Sequence, residues 1–95
     1  MRALIVDEVQ DLRILRPAGA ISYRCRGDGT VGGIAFICPC GCGNESYLPI
    51  RGRGHPQEWD WNGDRLDPTL SPSIFNSGLP CRWHGWLRNG EWVSV

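Results

Sequence analysis

Apolar residues in this chain recur mostly at alternate positions, and a helical face is hard to find, so the pattern predicts strands. The stretch 20–26 carries Ile21, Tyr23 and Cys25 at alternate positions, the period of a half-buried strand. Ile34-Ala35-Phe36-Ile37 is a short apolar run, and Tyr47-Leu48-Pro49-Ile50 reads as its returning partner. Near the end, 83–88 and 91–95 flank Asn89-Gly90, a strong signal for a tight hairpin. Residues 4–15, with Leu4, Ile5, Val6, Val9, Leu12, Ile14 and Leu15, fit a short amphipathic turn or an irregular strand, and Pro17-Ala18-Gly19 ends them. Trp59 and Trp61 alternate ahead of Asn62-Gly63-Asp64, another hairpin-type turn. Pro68, Pro72 and Pro80 punctuate the next stretch, so Leu70–Ile74 reads as an edge or irregular strand. The expected fold is mostly β: a small single-domain antiparallel domain over residues 1–95, with zinc-stapled hairpins and little helix.

Size sharpens this picture. With 95 residues, 13 Gly and 7 Pro against 41% apolar positions, the chain predicts a loop-rich domain with a modest core. A bound metal would add cross-linking, because its binding free energy becomes folding free energy when the unfolded chain lacks the site.

Two short clusters supply the ligands. Cys38-Pro39-Cys40-Gly41-Cys42-Gly43 ends the apolar run at Ile37, and Cys81-Arg82-Trp83-His84-Gly85-Trp86 precedes the final hairpin. Thiolate and neutral imidazole suit borderline-soft divalent metals, and a closed tetrahedral zinc site takes four such ligands. Cys81 and His84, at C-x-x-H spacing, are the firmest pair. Two of Cys38, Cys40 and Cys42 complete the expected set, with Cys40 the one to leave out, because chelation at i, i+2 is strained. Glycines after Cys40 and Cys42 let backbone amides approach the sulfurs. Cys25 and His55 stand alone; Cys25 is expected in the core and His55 on the surface. An odd count of 5 Cys and a Met1-Arg2-Ala3 start without a secretory pattern favour metal over disulfides and a reducing cytoplasm. The second cluster also looks like half of a Rieske iron–sulfur motif, but that centre needs two histidines on one iron, and the first cluster has Cys-x-Cys in place of Cys-x-His.

Charge and the remaining motifs exclude more than they assign. Ten basic residues balance ten acidic ones, so no global field draws nucleic acid, and no apolar stretch approaches a membrane span. Arg51-Gly52-Arg53-Gly54 is a slight basic loop, too short to argue for nucleic acid. All basic residues are Arg, as GC-rich codon usage gives, or as avoidance of an ε-amine acceptor would give. The 5 Trp all lie from Trp59 onward and suit a core built of large rings, the alternative being an exposed binding patch. Asp67-Pro68-Thr69-Leu70-Ser71-Pro72-Ser73-Ile74 carries hydroxyls without a His–acid partner placed in sequence to activate one, and reads as a structural turn. Glu45 and Glu58 are the only plausible bases near a ligand or a Trp, and neither has a motif.

The ordered set Cys-Pro-Cys-Gly-Cys-Gly, Trp-x-Trp-Asn-Gly-Asp, Pro-Thr-Leu-Ser-Pro-Ser-Ile and Cys-x-x-His with an Asn-Gly hairpin spans Ile34 to Val95. It resembles a family of small bacterial and bacteriophage Cys/His metal-binding proteins often labelled "ammonia monooxygenase". Bacteriophage members carry Cys-Pro-Gly-Cys at the first cluster, so the choice among Cys38, Cys40 and Cys42 stays open. Some relatives are encoded beside bacterial ubiquitin-like modifiers and their activating and conjugating enzymes. The resemblance implies a zinc-bearing adaptor in such a system, with protein partners, and there the lack of Lys would spare the adaptor from modification.

The resulting expectation is a non-catalytic, zinc-ribbon-like binding module with one structural Zn²⁺ held among Cys38, Cys40, Cys42, Cys81 and His84. A zinc hydrolase and a Rieske-like electron carrier are the alternatives. No nucleic-acid or membrane partner is expected.

Overall fold

The computed structural model describes residues 1–52 and 54–95; Arg53, from the expected basic loop, lies outside them. Among the described residues, three sheets and one short helix surround a shared apolar interior. The largest sheet has the order β1 (Leu4–Ile5), β2 (Ala20–Cys25), β3 (Val31–Ile37), β4 (Glu45–Pro49). β1 runs parallel to β2, and the β2–β3 and β3–β4 pairs are antiparallel. β5 (Asp60–Trp61) pairs with β6 (Leu70–Ser71), and β7 (Ile74–Phe75), β8 (His84–Arg88) and β9 (Glu91–Ser94) form an antiparallel meander.

Alternation along β2–β4 gives the sheet two working faces. Ile21, Ile34, Phe36 and Leu48 point into the main core, where they meet Leu70, Ile74, Leu87 and Trp92 from the smaller sheets. Helix α1 (Val9–Leu15) covers part of the opposite face, burying Leu12 against Ala20, Ala35 and Ile37. Each large apolar side chain so buried contributes about 1.5–3 kcal/mol. The rings of Phe36 and Trp92 lie 5.1 Å apart, and Trp83 meets Trp92 edge-on at 5.6 Å. Trp59, Trp83 and Trp92 are therefore core, while Trp61 and Trp86 are half-buried.

The segment 4–15 is neither expectation alone: it divides into β1 and α1. The helix ends at Arg16 in the left-handed region (φ 47), whose N–H reaches the Leu12 carbonyl, and Pro17 prevents continuation. The chain before β1 closes the fold, with Ala3 N–H on Gly90 O and Trp92 N–H on Met1 O. Cys25 is exposed where a core position was expected, because a register shift at Arg24/Cys25 breaks the alternation at the end of β2. His55 is exposed as expected. Among the described residues no helix is long and apolar enough to cross a membrane.

Candidate functional site

The turn between β3 and β4 delivers three of the cysteines. Cys38 follows the last core residue of β3, and its N–H on Asn44 O closes the turn. Gly41 (φ 91) and Gly43 (φ 80) occupy left-handed positions that fold the chain back over itself between the cysteines. Cys81 arrives from the loop between β7 and β8. The four sulfurs of Cys38, Cys40, Cys42 and Cys81 lie within 4.8 Å of one another, with Cys38–Cys40 at 3.2 Å, Cys38–Cys81 at 3.5 Å and Cys42–Cys81 at 3.6 Å. A tetrahedral tetrathiolate ion with bonds of about 2.3 Å has sulfur–sulfur edges of about 3.8 Å. The donor set and its spacing fit a metal ion, and they include Cys40.

Amide groups point at three of the sulfurs. Cys42 N–H points at Cys40 Sγ (3.3 Å), Asn44 Nδ2 at Cys42 Sγ (3.4 Å), and the buried Asn76 Nδ2 at Cys38 Sγ (3.5 Å). The Asn44 backbone N–H draws the Cys42 thiol down to about 6. Burial pushes Cys38 and Cys40 the other way. One exposed corner thus favours thiolate, and a dication would supply the charge that the buried corner needs.

His84 is placed differently. The sulfur group does not include it; its Nε2 lies 3.1 Å from the Ser73 hydroxyl. The cause is local backbone geometry. Arg82 sits in the left-handed region (φ 49), its N–H on Leu79 O, so the chain turns sharply between Cys81 and the start of β8. Cys81 joins the sulfurs, whereas His84 begins β8 opposite Phe75.

Ser73 directly precedes β7 after the cis Ser71–Pro72 bond, and its carbonyl accepts a hydrogen bond from Trp59 Nε1 (3.4 Å). The Phe75 ring packs on the imidazole at 5.2 Å, with the Arg82 guanidinium 5.4 Å from the Phe75 ring centroid. Asn76 N–H bonds Trp83 O (2.8 Å), closing the β7–β8 pair one step beyond Phe75 and His84. One two-stranded unit therefore holds Ser73 and His84 together, and the thiol cluster grips its loop through Cys81 and Asn76.

A hydroxyl against an imidazole nitrogen is the minimal arrangement for nucleophilic catalysis. Sequence reasoning missed it, because C-x-x-H spacing points His84 at a metal and the hydroxyls of the proline-rich turn, Ser73 among them, have no His–acid partner nearby in sequence. The contact arises only from the β7–β8 pairing, in which Ser73, two residues before Phe75, lies diagonal to His84.

Residues 7–95 match the family model described as BubE, bacterial ubiquitination-like system serine protease, and the chain belongs to that family. No curated protein and no solved structure matches the chain.

Proposed function

We propose that this BubE-family chain is a serine peptidase of a bacterial ubiquitination-like system, with Ser73 as nucleophile, His84 as its general base and the four cysteines as a structural zinc site. The observation that carries this reading is the 3.1 Å contact between His84 Nε2 and Ser73 Oγ. The family description supports it from an independent direction.

The chemistry follows from the pair. With the neutral ring protonated at Nδ1, Nε2 accepts the Ser73 proton as Oγ attacks the substrate carbonyl carbon. The tetrahedral adduct collapses, the carbon–nitrogen bond breaks, and the imidazolium gives its proton to the departing amine. Water then attacks the Ser73 acyl ester with the same nitrogen as base, and the acid product leaves. Phe75 limits how far the imidazole can tilt, and Trp59 anchors the Ser73 backbone.

Zinc bound by Cys38, Cys40, Cys42 and Cys81 would cross-link the β3–β4 turn to the β7–β8 loop, and a closed tetrathiolate site is a structural one. Its role is to hold the Ser73–His84 spacing. Free thiols at such a site suit a reducing cytoplasm. A non-catalytic adaptor would leave the Ser73–His84 contact without a role. A Rieske centre would require imidazoles among the ligands, and the clustered donors are all sulfur.

The bond cleaved is proposed to be the peptide or isopeptide bond that follows the C-terminus of a ubiquitin-like modifier. The test is to incubate the protein with such a modifier carrying a C-terminal tag and follow tag release. Release by the wild type and none by Ser73→Ala is expected; equal release by both would remove Ser73 from the reaction.

A further inference from the structure

The free edge of β4 borders a cavity whose far wall carries Ile74 and Phe75, the two residues that follow Ser73 and pair with Gly85 and His84. Its phase can be read from the ladder. Cys38 N–H bonds Asn44 O (2.9 Å) and Ile50 N–H bonds Gly32 O (3.0 Å), while Phe36 faces Ser46 and Ile34 faces Leu48. Positions 44, 46, 48 and 50 therefore turn their amides toward β3, and Glu45, Tyr47 and Pro49 turn theirs outward. The Pro49 carbonyl is taken by Trp59 N–H (2.9 Å). Among the described residues no named strand pairs with β4 on that side; Trp59 bridges the chain just past its end, at Ile50, and the N–H and C=O of Tyr47 point away from β3.

β4 residues help line two cavities, one on each face of the sheet, and the helix-facing one reaches back from Tyr47 over β3 and β2. On the core-facing side, about 270 Å³ is lined by Leu48, Trp59, Ile74, Phe75 and Leu79, and its far wall begins one residue after Ser73. On the helix-facing side, about 500 Å³ is lined by Arg13, Arg24, Arg26, His55 and Glu45. Glu45, the acid there, is occupied by a two-point bond with Arg13 (2.9 and 3.0 Å), and the buried Arg26 Nε has no hydrogen-bond partner among the described residues. Tyr47 lines both cavities, its ring lying over Gly33, where a Cβ would collide with the hydroxyl.

Side chains of an extended strand point alternately to opposite faces. A strand added to β4 would send every second side chain toward the apolar cavity and the others toward the arginines. Resting on the peptidase reading above, we infer that the substrate segment beside the scissile bond binds as an antiparallel strand on β4. Its alternate residues are apolar and acidic, and its backbone pairs with Tyr47. Main-chain bonds supply affinity and the two cavities supply selectivity.

The test measures binding, not cleavage. Ser73→Ala protein is titrated into a short fluorescein-labelled peptide of alternating Leu and Glu, read by anisotropy. The residue opposite Tyr47 shares its face and is therefore a Glu. N-methylation of the Glu amides should weaken binding roughly tenfold, and N-methylation of the Leu amides should do little. Exchange of Glu for Lys should weaken binding at least as much, and Arg24→Glu should erase that preference. Tyr47→Pro removes one outward N–H without touching a ladder bond and should weaken binding, whereas Tyr47→Ala should keep the N-methyl sensitivity. No binding, or equal effects of the two N-methyl series, would overturn the inference. So would self-association through this edge that Tyr47→Pro abolishes, since the occupant would then be a second copy of the chain. Binding with this pattern but no cleavage by the wild type would leave the strand site standing and sink only the peptidase reading.

Discussion

The side-chain amide of Asn76 lies 3.5 Å from the Cys38 sulfur, joining the thiol cluster to the loop that ends in His84. Asn76 also donates its backbone N–H to Trp83 O at 2.8 Å, one residue before the imidazole. Thiol cluster and Ser–His pair are thus two ends of one short structure. Asn76→Ala removes a buried bond and should cost about 1–3 kcal/mol in denaturant unfolding. Metal affinity should fall about 10–100-fold, as is usual when a partner of a metal ligand is removed. Competition with a chromogenic chelator measures the second effect.

Ser73 is half-buried just before β7 and His84 is exposed at the start of β8, so their removal should spare the fold. Ser73→Ala and His84→Ala should each lower peptide hydrolysis by about 10³-fold or more, with unfolding midpoints close to wild type. Metal analysis separates the two roles open to His84. Retention of one metal per chain in His84→Ala marks the residue as the base; loss of metal with unfolding would make it a ligand.

Cysteine variants should behave oppositely. Cys38→Ser, at a buried position bonded to Asn76, should lose the metal and lower the unfolding midpoint, and Cys81→Ser should do the same. A strong chelator should reproduce both effects in the wild type, and zinc should reverse them. Activity should disappear with the metal, because the β7–β8 loop loses its anchor. A wild-type protein that keeps full stability and activity after metal removal would deny the cluster this role.

The sequence patterning shows the strands well and the site only in part. The alternating stretch from Ile21, the apolar run ending at Ile37 and the Asn89-Gly90 turn correspond to β2, β3 and the β8–β9 hairpin, because each is a local pattern, while the exposure of Cys25 and the packing of Ala35 and Ile37 under α1 depend on the assembled sheet. The Asn62-Gly63-Asp64 turn is longer than expected: Asn62 Oδ1 accepts from Asp64 N–H and Thr69 N–H, bridging a loop that β5 and β6 enclose. The thiols could be recognised from composition and spacing. The Ser73–His84 contact could not, because it depends on the left-handed turn at Arg82, a position where no glycine or asparagine signals positive φ.

The Arg13–Glu45 pair ties α1 to β4 and should give a pH signature. Its hydrogen bond with Arg13 holds the Glu45 carboxyl below its ordinary range. A depressed folded-state pKa means stability present above the unfolded value and lost as pH falls through the folded one. Arg13→Ala should therefore be less stable than wild type at neutral pH. The difference should vanish once Glu45 is protonated, as urea unfolding across the acid range would show.

The most direct test of the central claim is mass spectrometry of the protein after treatment with a fluorophosphonate. This reagent forms an oxygen–phosphorus bond with an activated serine and releases fluoride. One adduct on Ser73 is predicted in the wild type, and none in His84→Ala that retains its metal. No adduct at Ser73 in a protein that still cleaves its substrate would contradict the account.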